Sequence, residues 1–431
     1  MSLKLAFGLV GTKRFTPILL ASALGTFNDN MFKNALVIMA TFYGLTVAGL
    51  EPERVVPIAA TAFTAPLFLF SAIAGQIADR YDRAMIMRRA KFAEIILMTV
   101  AAIGFLLNSG PILIFTLFLM GAQSAFYSPA RVASMPHYLK PNELVAGNAL
   151  FGGIFFICLL LGQLGGTLLP TIEGGRNIVA GALIVMALLG WASILPTPPS
   201  PAANKALKIR WNFIWETGRI LYQAAQHPRV LRPLLGMGWF YLVTAGLITL
   251  MPNLVRNIIG EGADVVALFS VLFVIGAAIG SLACGAFSRG SDAIMFTVVG
   301  GFALALLSLD IAWQVSRWEF ALQPVGAVAF AQNPENWRLM ASLFFSAVAG
   351  GMYIVPLQAM AQRRAPEENR ARLLAAGNLL NALGASIGQL GLLALSTYSL
   401  PMSTAFIVVA TGTGAIALAS MRYLRSANSQ S

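Results

Sequence analysis

Close to the N-terminus, Phe27-Asn28-Asp29-Asn30-Met31-Phe32-Lys33-Asn34 places five polar residues, two of them charged, inside an otherwise apolar run. On insertion scales a charge in the middle of a bilayer costs roughly 2.5 to 3.5 kcal/mol unless it faces water or a partner. Asp29 and Lys33 stand i, i+4, so they share a helical face and can pair. The bland reading is that the pair neutralises itself during insertion or braces helix packing. Asn28, Asn30 and Asn34 wrap more of the circumference than one ion pair needs. The block therefore predicts a wet cavity where Asp29, Lys33, Asn28, Asn30 and Asn34 offer an acid, a base and amides, a set suited to a zwitterionic headgroup.

A second constellation is Gly75-Gln-Ile-Ala-Asp79-Arg80-Tyr-Asp82-Arg83. Gly75 is expected to permit close helix approach. Asp79 is expected to accept hydrogen bonds at the N-terminus of a neighbouring helix, with Arg80, Asp82 and Arg83 completing a gating loop. Arg88, Arg89 and Lys91 beyond it need only topology as their reason. In the second half, Gly285-Ala-Phe-Ser-Arg289 keeps the glycine but lacks the acid, so the matching lock is expected to be degraded or absent. Among the polar residues inside other apolar runs, Gln123, Tyr127, Asn148, Gln163, Gln358, Asn378, Asn381 and Gln389 are candidate cavity-lining residues; each would serve equally well to bond a neighbouring helix. Glu94 is expected to pair with Arg88 or Lys91, with a proton-linked role as the alternative. Asp310 is expected to be solvated at a helix end.

The elements that must carry these residues are membrane spans. Of 431 residues, 58% are hydrophobic and 11% charged, too apolar for a soluble domain. Runs of the length that crosses a bilayer, about 20 residues, recur twelve times: six in a first half (1–195) and six in a second (233–431). A polar linker at 196–232 separates them. With the N-terminus inside, 23 of the 29 Lys and Arg residues fall in inner loops and tails, five in outer loops (Arg54, Arg176, Arg256, Arg317, Arg338), and Lys33 in a span. That asymmetry puts both termini in the cytoplasm. A weak repeat relates the halves: Tyr127, Lys140-Pro141-Asn142-Glu143, Ala146-Gly147-Asn148 and Gly162-Gln163-Leu164-Gly165 return as Tyr353, Ala365-Pro366-Glu367-Glu368, Ala376-Gly377-Asn378 and Gly388-Gln389-Leu390-Gly391. The order fits parallel half-repeats. In the linker, Leu207, Trp211, Ile214, Trp215 and Leu221 recur at helical spacing among Lys208, Arg210 and Arg219, predicting an amphipathic helix on the inner leaflet; a mobile connector is the alternative.

Several function classes drop out. The net charge of +12 lies in loops between apolar runs, not on one soluble face beside stacking aromatics, so no nucleic-acid partner is expected. Cys158 and Cys284 lack metal-ligand spacing and a neighbour to pair with, and no metal site is read. His137 and His227 fall in inner loops, which leaves no buried histidine relay. There is no phosphate-cradling loop ending in Lys and Ser or Thr, and no nucleophile, base and orienter form a set, so no enzymatic chemistry and no cofactor are expected. The apolar stretch Met1 to Val10 is short and lacks a cleavage site before Lys13 and Arg14, so a removed signal peptide is not expected.

The Gly75 to Arg83 loop closely resembles the signature loop of the major facilitator superfamily, and the likeness extends over the chain. It implies an all-α membrane protein with twelve transmembrane helices in two six-helix halves, working by alternating access. It also implies that spans two, five, eight and eleven line the seam between halves. Ser71 and Gly75, Gly162 and Gly166, Gly276 and Gly280, and Gly384 and Gly388 are read as contacts of that seam, with packing inside each half as the alternative. More narrowly, Gly25-Thr-Phe-Asn-Asp-Asn-Met-Phe-Lys-Asn-Ala-Leu36 is similar to the first helix of the lysophospholipid transporter family. This implies that a lysophospholipid such as lysophosphatidylethanolamine is moved from the outer to the inner leaflet for reacylation, with Asp29 and Lys33 as headgroup contacts. No acyltransferase motif of His, four residues and Asp occurs, and the chain ends at Ser431, so the acylating enzyme is expected to be a separate protein. The setting implied is a multi-pass monomer in a bacterial inner membrane. The driving force stays open between lipid running down its gradient and a coupling ion, H+ or Na+, at Asp29. The gating loop alone fits a proton-coupled drug or metabolite exporter equally well. A non-transporting scaffold or sensor is the reading from another class, disfavoured by a costly charged cleft.

Overall fold

In the computed structural model, residues 8–140, 143–202, 204–207, 209–210, 212–287, 293–321, 323–366 and 370–428 are described. The first six helices are α1 (Thr16–Phe42), α2 (Pro52–Arg80), α3 (Arg83–Leu106), α4 (Gly110–Tyr138), α5 (Leu144–Leu168) and α6 (Gly175–Ile194). The linker forms α7 (Phe213–Ala225). Then come α8 (Pro228–Leu254), α9 (Ala263–Phe287), α10 (Ala293–Ser316), the short α11 (Ala327–Gln332), α12 (Pro334–Arg364), α13 (Arg370–Thr397) and α14 (Ser403–Asn428). Proline in the first turn of α2, α4, α8 and α12 costs nothing there, because its missing N–H would have no intrahelical partner.

Among the described residues, ten of these helices are long and apolar enough to cross a membrane. The other two long ones are α1 and α3, with 27 and 24 residues. Both are diluted by polar groups: α1 by the Asn28 to Asn34 block, and α3 by Arg83, Arg88, Arg89, Lys91 and Glu94 in its first half. The chain is thus an all-helical membrane protein, and the two helices that break the apolar rule are the two that carry the most chemistry.

The chain folds as two compact units, residues 1–217 and 218–431. Within the first, α1 packs on α5 and α6, α2 on α4, and α3 on α4 and α6. Within the second, α8 packs on α13, α9 on α12, and α10 on α12 and α14. Four of these pairings recur in both units, as parallel repeats require, while α1 leans further on α6 and α8 on α12. Glycine makes it close. A Cβ on Gly162 or Gly166 of α5 would lie 2.3 or 2.4 Å from the Phe27 or Met31 carbonyl oxygen of α1. On Gly384 or Gly388 of α13 it would lie 2.1 or 2.2 Å from the Gly238 or Leu242 oxygen of α8, and Gly276 and Gly280 of α9 sit likewise on Phe344 and Val348 of α12. These small-residue pairs therefore hold helices together inside a unit, which corrects their reading as seam contacts. The tetrapeptide Gly-Gln-Leu-Gly opens the pair in α5 and follows it in α13, so the sequence repeat and the packing run one turn out of register.

The linker is shared between the units rather than standing apart. Its first part is sewn to the first unit: Tyr138 Oη donates to the Pro198 carbonyl at 2.7 Å, and Asn204 N to the Asp79 carbonyl at 2.9 Å. Farther on, α7 turns Ile220, Leu221 and Ala224 onto Val230 and Leu234 of the second unit, while Ile214, Trp215 and Tyr222 point outward. Trp211 and Lys208, part of the sequence pattern for this helix, lie outside the described residues.

Candidate functional site

Inside the first unit, α1, α3 and α4 enclose a set of ionic and amide groups. Its centre is an ion pair between Lys91 Nζ and Glu94 Oε2 at 2.6 Å, with both side chains only 2% exposed. Lys91 was assigned by topology to a loop; it lies two turns inside α3, which begins at Arg83. What makes room for it is Gly25 on α1, where a Cβ would stand 2.2 Å from the Lys91 nitrogen. The Tyr127 ring of α4 covers the ammonium at 5.2 Å, and its hydroxyl meets Ser22 Oγ at 2.8 Å. Glu94 is also served by Asn28 Nδ2 on Oε1 and Gln123 Nε2 on Oε2, each at 3.4 Å, while Gln123 donates to the Ala90 carbonyl at 3.0 Å. Asp29 stands next to this group and accepts from Ser124 Oγ at 3.3 Å.

A buried charge pair of this kind recovers its desolvation only when further hydrogen bonds complete it. The amides of Asn28 and Gln123 do so for Glu94. Asn28 is fully buried, and its Oδ1 has no hydrogen-bond partner among the described residues. An acceptor is thus left open within reach of the cluster, and such a group needs water or a ligand. Among these residues Asn28, Asp29, Gln123 and Tyr127 were candidates from sequence, and of the two partners expected for Glu94, Arg88 and Lys91, it is Lys91 that pairs. Ser22, Gly25 and Ser124 were missed, since small residues in apolar runs carry no signal until a partner is known.

The rest of the Asn28 to Asn34 block is arranged differently from the expectation. Asp29 and Lys33 do not close into an ion pair. Lys33 Nζ instead donates to Asn30 Oδ1 at 3.3 Å and lies 5.7 Å from the Phe63 ring of α2. Asn30 and Asn34 return their amides to their own helix, on the Thr26 and Asn30 carbonyls at 2.8 Å. The physical reason is proximity: an amide side chain in a helix always has the carbonyl one turn back within reach.

The gating loop is also re-sorted. Asp82, not Asp79, serves a helix N-terminus: its Oδ1 accepts from Met85 N at 2.8 Å, capping α3, and its Oδ2 accepts from Ser200 N at 2.9 Å. The Asp79 side chain is exposed, and its carboxylate has no hydrogen-bond partner among the described residues. A Cβ on Gly75 would meet nothing within 4 Å, so close approach is not what that glycine provides here. Arg83 Nε donates to the Ala78 carbonyl at 3.3 Å, Arg80 lies 5.5 Å over the Tyr81 ring, and Arg88 donates to the Thr197 carbonyl. The Ser200 contact with Asp82 and the Arg88 contact with Thr197 fasten the start of the linker to the N-terminal end of α3.

Of the remaining candidates, Gln163 and Gln358 are half-buried, Asn378 is exposed, and Gln389 is buried. Asn381 is half-buried with an Oδ1 that has no partner among the described residues. The side chain of Asn148, and Ser288 and Arg289 of the second-half loop, lie outside the described residues. Asp310 is not merely solvated: Arg338, Gln314 and Ser342 all donate to its carboxylate.

Compared with known proteins, the chain is 25% identical over 418 residues to the "Lysophospholipid transporter LplT" of Salmonella arizonae, and 27% identical over 409 residues to that of Escherichia coli O157:H7. Each likeness covers 94% of this chain and 92% of the relative. Among solved structures it resembles an auto-inhibited POT family peptide transporter, with TM-score 0.68 and 14% identity over 95% of this chain and 96% of the other. It also resembles a bacterial homologue of the human lysosomal transporter Spinster, inward-facing and unoccupied, with TM-score 0.61 and 15% identity over 99% of both chains. At such identities these two speak for the fold alone. Residues 18–322 match the sequence profile of the Major Facilitator Superfamily, and the chain belongs to that family, as a membrane transporter and not an enzyme.

Proposed function

We propose that this protein carries a lysophospholipid such as lysophosphatidylethanolamine from the outer to the inner leaflet of a bacterial inner membrane by alternating access of its two halves. In this reading α1 and α3 join the ten apolar helices as spans, making twelve, and the excess of basic residues holds both termini in the cytoplasm. The observation that carries it is the buried cluster of Lys91, Glu94, Asn28 and Gln123 beside Asp29. An apolar helix bundle has no need of such a cluster, and a zwitterionic headgroup would find both of its counter-charges there. The relatives named as lysophospholipid transporters support the cargo. Asp29 is assigned to the headgroup's ammonium and Lys91 to its phosphate, with Glu94 holding Lys91 until cargo arrives. A separate acylating enzyme in the inner leaflet would consume the product.

The test uses purified protein in vesicles, with labelled lysophosphatidylethanolamine added to one side. Wild type should equilibrate the label and Asp29→Asn should be slowed at least tenfold, about 1.4 kcal/mol of lost binding or barrier lowering. Asp79→Asn tests the gating assignment and should slow turnover without weakening lipid binding. Unchanged movement by Asp29→Asn removes the headgroup role. No movement by wild type transfers the cluster to a proton-coupled exporter of some other cargo.

A further inference from the structure

We infer that Arg317 and Arg338, gathered at the Trp313 ring in the second unit, bind the phosphate of a phospholipid headgroup in the outer leaflet. The inference rests on the orientation and cargo proposed above, and it would make this the place where lysolipid is first held. The sequence leaves five basic residues on the outer side, and two of the five converge here. The Arg317 and Arg338 Cζ atoms lie 4.8 and 4.5 Å from the centre of one indole. Trp313 itself is 45% exposed at the end of α10.

The two guanidiniums are held differently. Arg338 is braced by Asp310, whose carboxylate also accepts from Gln314 Nε2 at 2.6 Å and Ser342 Oγ at 2.7 Å. With three donors on it, Asp310 is committed to orienting Arg338. Arg317 is exposed and has no anionic partner among the described residues. A guanidinium carries five N–H donors in a planar fork, which matches a phosphate bidentately. Stacking on an aromatic face keeps that fork in one orientation without using its donors. An interfacial tryptophan alone would be ordinary, since aromatic rings favour the headgroup layer. Two arginines on it, on the side that the charge rule leaves poor in cations, are not, and one of them is free to take an anion.

Equilibrium binding of labelled lysophosphatidylethanolamine to the detergent-purified full chain, beside initial uptake rates in vesicles, tests this with Arg317→Gln and Arg317→Lys. Arg317→Gln should weaken binding and raise the half-saturating concentration roughly fivefold, with the maximal rate unchanged. Arg317→Lys should fall between, keeping the charge but losing the fork. A monoacylglycerol of the same chain length, lacking the phosphate, should bind wild type and variants alike. Equal lysolipid affinity in wild type and Arg317→Gln overturns the site. Inorganic phosphate displacing the lipid at equal concentration would make the ligand the free anion, and overturns the lipid assignment. Binding that depends on Arg317 without any uptake by wild type defeats the transport reading and leaves the site standing; uptake with binding indifferent to Arg317 does the reverse.

Discussion

The two units pack their helices by one plan and fill the same place with opposite chemistry. In the first, Gly162 and Gly166 seat α5 on the Phe27 and Met31 carbonyls; in the second, Gly384 and Gly388 seat α13 on those of Gly238 and Leu242. Carried along these helices, Asn28 and Asp29 correspond to Trp239 and Phe240, and Gly25 to Gly236. In the sequence repeat, Tyr127 corresponds to Tyr353. Where Tyr127 covers the Lys91 ammonium, Tyr353 stacks on Phe240 with ring centres 6.3 Å apart and planes 19° apart, and its hydroxyl donates to the Gly236 carbonyl at 3.3 Å. Trp239 Nε1 donates to Thr413 Oγ1 at 3.0 Å. An aromatic core with single, satisfied hydrogen bonds therefore supports the same pairing of helices. The ions of the first unit are not what its architecture requires, so their desolvation cost points to function.

The two units differ most at the ion pair. Lys91→Met should lower stability by about 3 to 5 kcal/mol, because it strands Glu94 without its counter-charge. Lys91→Met combined with Glu94→Leu should regain most of that loss, as the second unit's apolar filling implies, and still abolish lipid uptake. Thermal melting and vesicle uptake measured together decide it. A double variant that transports like wild type would reduce the cluster to scaffold.

The shared skeleton predicts equality next. Gly162→Ala and Gly384→Ala each push a methyl group onto a backbone carbonyl that cannot swing aside, so each should cost ~2 to 3 kcal/mol; unequal melting shifts would mean that the two glycines do not play matching roles. A smaller contrast separates Gly25 from Gly236. Gly25→Ala collides with the Lys91 ammonium and should cost ~1 to 2 kcal/mol, less in a Lys91→Met background. Gly236→Ala meets the tip of Leu357, 3.0 Å away, which can turn aside, and the Tyr353 hydroxyl at an ordinary contact distance of 3.5 Å, so it should cost under about 1 kcal/mol.

The smallest effect lies at the loop before α5, in the first unit. Arg14 grips Glu143 with two hydrogen bonds, at 2.7 and 2.8 Å. This hydrogen bonding, with a further bond from Lys140 N, holds the Glu143 carboxyl below its ordinary value. A group depressed in the folded state adds stability above its unfolded pKa and loses it as the pH falls through the folded one. Acidification should therefore narrow the difference in melting temperature between wild type and Glu143→Gln. A difference that grows with acidification would contradict the clamp. The pair lies at the surface, with the Arg14 side chain 35% exposed, which keeps the effect slight.

Much of the architecture was legible because lipid leaves a chain few options. Backbone groups in a bilayer must bond internally, so each apolar run of about 20 residues reads as a helix, and the break at the linker divides the halves. The Asn28 to Asn34 block announced itself because polar residues in such a run are costly. Partnership was not legible. A helical wheel gives the face of Asp29 and Lys33 but not that Ser124 and Asn30 lie nearer to each than they do to one another. Nor does it reveal that Asn30 and Asn34 turn back on their own carbonyls. A basic residue two turns into a helix reads like one in the loop, so Lys91 stood out as a possible partner of Glu94 but not as part of a buried site. Local composition and the lipid solvent suffice to read the long apolar helices and the ionic groups set among them. Which ions meet depends on the folded packing, because a glycine 66 residues away from Lys91 in the chain must leave room for one ammonium group.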